Sequence, residues 1–128
     1  MSEKKIYLSD LYFDHKMWLN ELAFYKEELS ILQKRLDEVA ERNTVKDMKA
    51  TQGQMQSKLI RQKEVLDILE HDITLHQQEL VQFAKDHPIA LDHVMFTDHT
   101  AMRDRMDTYK KIYADMKSDF QDFVAEWL

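Results

Sequence analysis

The sequence contains no cysteine, one glycine and one proline. Without cysteine the chain cannot form disulfides, thiolate metal sites or cysteine nucleophiles, and its composition fits a reducing compartment. Glycine and proline supply the backbone conformations that tight turns need. A chain with one of each should therefore consist of a few long helices joined by short connections, which excludes all-β and α/β folds.

Long hydrophobic runs are also missing. The first ten residues, MSEKKIYLSD, hold two lysines, but no apolar stretch follows them, and no run of about 20 apolar residues occurs anywhere. These features predict a cytoplasmic protein that does not enter a membrane. The chain has 128 residues, so we expect a single domain over 1–128.

Sequence signatures of catalysis are absent as well. The chain has no Gly-x-Ser-x-Gly segment and no glycine-rich loop for phosphate, and one glycine cannot build most such loops. The Glu-x-x-His pairs of di-iron bundles do not occur either. The sequence therefore predicts a protein that is not an enzyme and that has no cofactor.

Hydrophobic periodicity is the strongest positive signal. Between Val45 and His87, apolar or gap-filling residues recur at alternating spacings of three and four, the pattern of a long amphipathic helix. Its inward positions are Val45, Met48, Gln52, Met55, Leu59, Gln62, Leu66, Leu69, Ile73, His76, Leu80, Phe83 and His87. The same alternation continues on both sides of this segment. The inward positions of the first helix are Leu11, His15, Trp18, Leu22, Tyr25, Leu29, Leu32, Leu36 and Val39. Those of the third are His99, Met102, Met106, Tyr109, Tyr113, Met116, Phe120, Phe123 and Trp127.

These patterns predict an all-α fold, an up-down-up antiparallel three-helix bundle with long coiled-coil-like helices. The helices should span about 9–42, 45–86 and 98–127. A short apolar helical connection should occupy 88–97, because Pro88 ends the second helix.

The position of the first turn has two interpretations. A change of heptad frame places it at Asn43-Thr44, where Asn can adopt a left-handed conformation and Thr44 can cap the next helix. The single glycine, Gly53, instead indicates a turn at 52–54. With the first alternative, the helix lengths place Trp127 near Ser57–Leu59 and leave a two-helix hairpin tip at about 33–55.

Two histidines occupy inward positions close to each other in the predicted register. His76 should lie level with Leu11 and Tyr109, with His15 about one layer away. The simplest interpretation is a hydrogen-bonded polar cluster that fixes the register, with no metal bound. The alternative is a metal or small-ligand site formed by His15, His76 and Tyr109. Burial should keep the imidazoles neutral and make low pH destabilising.

A second apolar line runs along the first helix opposite its inward face, at Phe13, Met17, Phe24 and Ile31. A three-helix bundle covers one stripe of each helix, so this line predicts a homodimer or a protein partner. Scattered surface residues are the alternative.

Charge is unevenly distributed along the second helix, although the formal net charge of −6 argues against general nucleic-acid binding. Five basic residues near its beginning form a potential basic tip: Lys46, Lys49, Lys58, Arg61 and Lys63. An acidic partner is one interpretation, and a solvated surface is the simpler one.

Together, these observations predict a non-enzymatic helical interaction or scaffold protein that acts through self-association or through binding a partner helix. A metal- or small-ligand-binding bundle is the alternative.

Overall fold

A computed structural model describes residues 8–43, 45–86 and 93–127, and only the backbone at 86 and 93–96. The chain in these ranges folds into three α-helices, α1 (Leu8–Arg42), α2 (Lys46–Asp86) and α3 (His93–Trp127). The helices pack as a three-helix bundle, so the predicted fold class is confirmed. None of these helices has an apolar stretch that would let it cross a bilayer.

One hydrophobic core extends through the bundle from Trp18, Ile73 and Met102 at one end to Val39, Met48 and Phe123 at the other. Most of the stability of helices in proteins comes from burial of an apolar face against neighbouring helices. The predicted inward positions supply that face: Leu22 and Leu36 of α1, Leu66 and Ile73 of α2, and Met106 of α3 are completely buried. Heptad spacing therefore identified most of the core, but it was wrong at Val45, which precedes α2 and is 52% exposed.

The first turn lies where the frame change places it. α1 ends at Arg42 and α2 begins at Lys46, whereas Gly53 lies inside α2 with no positive φ. The alternative turn at 52–54 is therefore wrong. Asn43 does not adopt the left-handed conformation, and its side chain instead donates to the carbonyl oxygens of Val39 at 3.1 Å and Trp127 at 2.7 Å. The predicted cap, Thr44, lies outside the described residues.

The third helix begins earlier than the sequence indicates, at His93 instead of Asp98. Residues 93–97 of the predicted connection thus belong to α3, while 88–92 lie outside the described residues. An earlier start moves every residue of α3 farther along α2. The hydrogen bond from Asn43 to Trp127 shows that the end of α3 reaches the turn between α1 and α2. The predicted position of Trp127 near Ser57–Leu59 is therefore wrong. The third helix therefore also packs along residues 33–55, which the sequence predicted to form a two-helix hairpin tip.

Candidate functional site

Three histidines, one from each helix, meet inside the bundle. His15 of α1 and His99 of α3 are completely buried, and His76 of α2 is 6% exposed. Each occupies an inward position of its helix, where heptad spacing directs a side chain toward the bundle axis. One ligand nitrogen from each ring can be chosen so that all three lie within 4.8 Å of one another. We call these residues the histidine triad.

Hydrogen bonds orient the three rings. Nδ1 of His76 lies 2.9 Å from Nε2 of His15, whose Nδ1 lies 3.2 Å from Oε1 of Gln77. Nε2 of His99 lies 3.0 Å from a carboxylate oxygen of Asp14, which also accepts from Arg103 at 3.1 Å. Each ring is therefore hydrogen-bonded to a side chain of a neighbouring helix.

These partners assign the protons in the neutral triad. Gln77 Oε1 and the Asp14 carboxylate are acceptors, so Nδ1 of His15 and Nε2 of His99 are the protonated nitrogens. Nε2 of His15 is then an acceptor, and Nδ1 of His76 donates to it. In this arrangement His99 Nδ1 and His76 Nε2 are unprotonated, and their lone pairs accept no hydrogen bond from the described residues.

Those two nitrogens are buried and have no hydrogen-bond partner in the described part of the chain. Leaving a buried polar atom unsatisfied costs about 1–3 kcal/mol. Two nitrogens of this cluster of three imidazoles therefore have buried lone pairs that no donor within the described ranges satisfies. A cation bound between the rings would satisfy His99 Nδ1, whereas His76 Nε2 is the ring nitrogen opposite the one that contacts His15.

Burial also determines the charge of the triad. Desolvation lowers the pKa of His15 to about 4, helped by the neighbouring His76 and His99. Desolvation likewise lowers the pKa of His76 and of His99, although the hydrogen bond to Asp14 opposes the shift at His99. The triad is therefore neutral near pH 7, as the sequence predicted for buried imidazoles.

An aromatic side chain closes one side of the triad. The indole of Trp18 stacks on the His99 ring with centroids 4.9 Å apart, and its centroid is 5.6 Å from that of His15. Trp18 lies one turn after His15 on α1, so the same inward stripe supplies both. The rings thus have an apolar wall that keeps water away from this side.

The sequence identified two of the three histidines. His15 and His76 come together as expected, but Tyr109 does not join them, since its hydroxyl donates to the carbonyl oxygen of Gln62 at 3.2 Å. His99 stands beside His76 in its place, ten residues before Tyr109 on α3. The start of α3 at His93, five residues before the predicted one, shifts the register in this direction. The signal for His99 was present, because it belongs to the inward stripe of the third helix.

The predicted apolar line of α1 is exposed along its length. Phe13, Met17, Phe24 and Ile31 are between 42% and 62% exposed. Several α2 side chains are similarly open, among them Ile60, Ile68 and Leu75. These residues take no part in the core.

The predicted basic residues also lie on the surface, and two of them have acidic partners within the chain. Lys58 pairs with Asp119 at 3.2 Å and Arg61 with Glu64 at 3.5 Å. Lys46, Lys49 and Lys63 are exposed. The positive charge of this region is therefore partly neutralised.

Comparison with known proteins found no matching family model, no matching curated protein and no matching solved structure.

Proposed function

We propose that this bundle binds a divalent transition-metal ion through His15, His76 and His99. The observation that carries the proposal is the convergence of three buried imidazoles, one from each helix, with ligand nitrogens within 4.8 Å. Neutral imidazole is a preferred ligand of zinc, iron, nickel and copper, and three histidines with an open fourth position form a familiar type of zinc site. The proposed role is binding and not catalysis.

The assignment of ligand atoms follows from the hydrogen bonds. Gln77 and Asp14 occupy one nitrogen each of His15 and His99, which leaves His15 Nε2 and His99 Nδ1 for the metal. His76 contributes Nδ1, which is 2.9 Å from His15 Nε2. Two nitrogens on a tetrahedral zinc ion are about 3.3 Å apart, given Zn–N distances of about 2.0–2.1 Å. A small side-chain adjustment, together with transfer of the His76 ring proton from Nδ1 to Nε2, would therefore let both nitrogens hold the metal.

The surroundings of the rings favour coordination. Ligating histidines usually donate their second N–H to a carboxylate or another acceptor, which fixes the ring and raises its basicity. Asp14 serves His99 in this way, and Gln77 serves His15. Burial lowers the pKa of all three histidines, so the rings are neutral at pH 7 and a metal ion does not have to displace the second proton of an imidazolium.

The test is a zinc titration of metal-free protein by calorimetry, together with thermal unfolding. We expect one zinc ion per chain and a higher melting temperature, with a stabilisation of about 2.7 kcal/mol when free zinc is 100-fold above Kd. His99→Gln should abolish binding while the circular dichroism spectrum stays helical. His71→Gln is the matched control, since His71 lies exposed on α2, outside the triad.

A wild-type protein with neither binding heat nor a shift in melting temperature would contradict the metal proposal. The triad would then act only as a hydrogen-bonded cluster that fixes the helix register.

The exposed apolar line of α1 supports a second candidate, a helical interaction or scaffold protein. Phe13, Met17, Phe24 and Ile31 lie along one helix and remain open to solvent, which suits a homodimer of cytoplasmic, coiled-coil-like subunits or a partner helix. Light scattering tests the dimer: we expect twice the chain mass of 15.4 kDa, and one chain mass for Phe24→Asp. One chain mass for the wild type at micromolar concentration would contradict a stable dimer.

A further inference from the structure

A groove of about 270 Å³ opens between α2 and α3 beside His76. Three carboxylates line it, those of Asp72, Glu79 and Asp98, together with the guanidinium of Arg105, which pairs with Asp72 at 2.9 Å. The groove therefore carries an excess of negative charge. Such a lining raises the local concentration of cations and speeds their arrival.

His76 connects this groove to the interior of the triad. The ring lines the groove, Nδ1 lies 2.9 Å from His15 Nε2, and Nε2 is buried without a partner among the described residues. The two nitrogens of an imidazole point in widely different directions, so when Nδ1 binds a metal, the ring proton resides on Nε2 and needs an acceptor. Gln77 and Asp14 already serve the corresponding nitrogens of His15 and His99. His76 lacks the equivalent partner.

We propose that the groove is the route by which a divalent cation reaches the triad, and that Glu79 accepts a hydrogen bond from Nε2–H of His76 once the metal is bound. This inference rests on the metal-binding function proposed above. Glu79 follows His76 by three positions on α2, so the two side chains lie on one face of the helix. The Glu79 side chain is exposed and free to rotate, and it can turn toward the ring without movement of the backbone.

Glu79 is thus a positioning residue, which acts on the metal through His76. When the metal binds, the proton of His76 moves from Nδ1 to Nε2, and the carboxylate stabilises this tautomer. Asp98 faces the same groove from α3 and contributes to the field without such a bond. The two carboxylates therefore have separable effects, one on affinity and one on the rate of association.

The affinity is tested with Glu79→Ala and Glu79→Gln, titrated with zinc. Loss of an outer partner of a metal ligand lowers affinity by about 10–100-fold, which we expect for Glu79→Ala. Glu79→Gln should give an intermediate Kd, because its amide oxygen still accepts the hydrogen bond but has no charge. Glu41→Ala is the matched control, since Glu41 is exposed and about 39 Å along α1 from His15 at about 1.5 Å per residue.

Two further measurements exclude a merely structural effect. Nitrogen-15 NMR of the imidazoles should place the His76 proton on Nε2 in the zinc-bound wild type and on Nδ1 in the metal-free protein. Stopped-flow mixing with zinc should show slower association for Asp98→Asn, with a weaker dependence on ionic strength.

The outcomes separate the two proposals. If the wild type binds zinc and Glu79→Ala has an unchanged Kd, the role of Glu79 is overturned while the metal site stands. If Asp98→Asn associates at the wild-type rate with the same salt dependence, the groove is not the route. If the wild type binds no zinc, the metal site and the groove proposal both fail.

Discussion

The carboxylate of Asp14 on α1 lies 3.0 Å from Nε2 of His99 on α3, which fixes the proton of His99 on that nitrogen. Asp14 is adjacent to His15 in sequence, yet its partner is a histidine 85 positions away. Adjacent residues on a helix point about 100° apart, so the Asp14–His15 pair cannot share one centre directly. Instead, Asp14 leaves Nδ1 of His99 free to act as a ligand.

This relationship predicts that Asp14→Ala weakens zinc binding by about 10–100-fold, because His99 loses the acceptor that orients it. The measurement is the zinc Kd from calorimetry. Glu27→Ala, at an exposed position of the same helix, should leave the Kd unchanged. An unaltered Kd for Asp14→Ala would show that the Asp14–His99 bond has no part in coordination.

The triad also predicts how the stability of the metal-free protein depends on pH. Burial lowers the pKa of His15 to about 4 and lowers that of His76 and His99, against a usual value of 6.5. Below pH 6.5 the unfolded chain therefore binds more protons than the native one. The stability that these groups provide is complete above that pH and is lost as the pH falls toward the lowered pKa of each histidine, which is about 4 for His15. The loss is up to about 1.4 kcal/mol per pH unit for each histidine.

Urea unfolding at several pH values between about 7 and 5 measures this dependence. His15→Gln should flatten the profile because it removes one of the titrating groups, whereas His71→Gln should follow the wild type. Equal unfolding free energies at pH 7 and pH 5 would contradict this prediction, because they would mean that the histidines have the same pKa in the folded and the unfolded protein.

Core burial predicts that Leu66→Ala lowers the unfolding free energy by about 2–5 kcal/mol, since Leu66 is completely buried in α2 and its truncation leaves a cavity. Ile68→Ala is the control on the same helix. Ile68 is 52% exposed, so its substitution should change stability by less than about 0.5 kcal/mol. Chemical denaturation of both variants provides the comparison, and similar losses would place Ile68 in an interface.

Gly53→Ala should stabilise the protein by about 0.5–1 kcal/mol, because alanine loses less backbone entropy in a helix than glycine does. Gly53 lies inside α2, and a Cβ atom there would meet nothing within 4 Å. Thermal unfolding measures the gain. A lower melting temperature would indicate that Gly53 belongs to a turn, as in the alternative that the structure rejects.

Heptad spacing predicted the helices and their inward faces, but it did not predict which inward residues meet. Spacing is a local property: it reveals that His15, His76 and His99 each face the bundle axis, whatever the rest of the chain does. Axial register depends on where each helix begins. The predicted register, in which α3 began at Asp98 instead of His93, paired His76 with Tyr109 and left His99 out.

The sequence by itself determined that this protein is a bundle of three long helices with histidines on its inner faces, because periodicity and the scarcity of glycine and proline act within each segment. Only the tertiary structure decided that the three histidines lie at one level, that Asp14 and Gln77 hold two of them, and that an acidic groove opens beside the third. Those relationships join residues on different helices, and packing between the helices sets how far each slides along its neighbours.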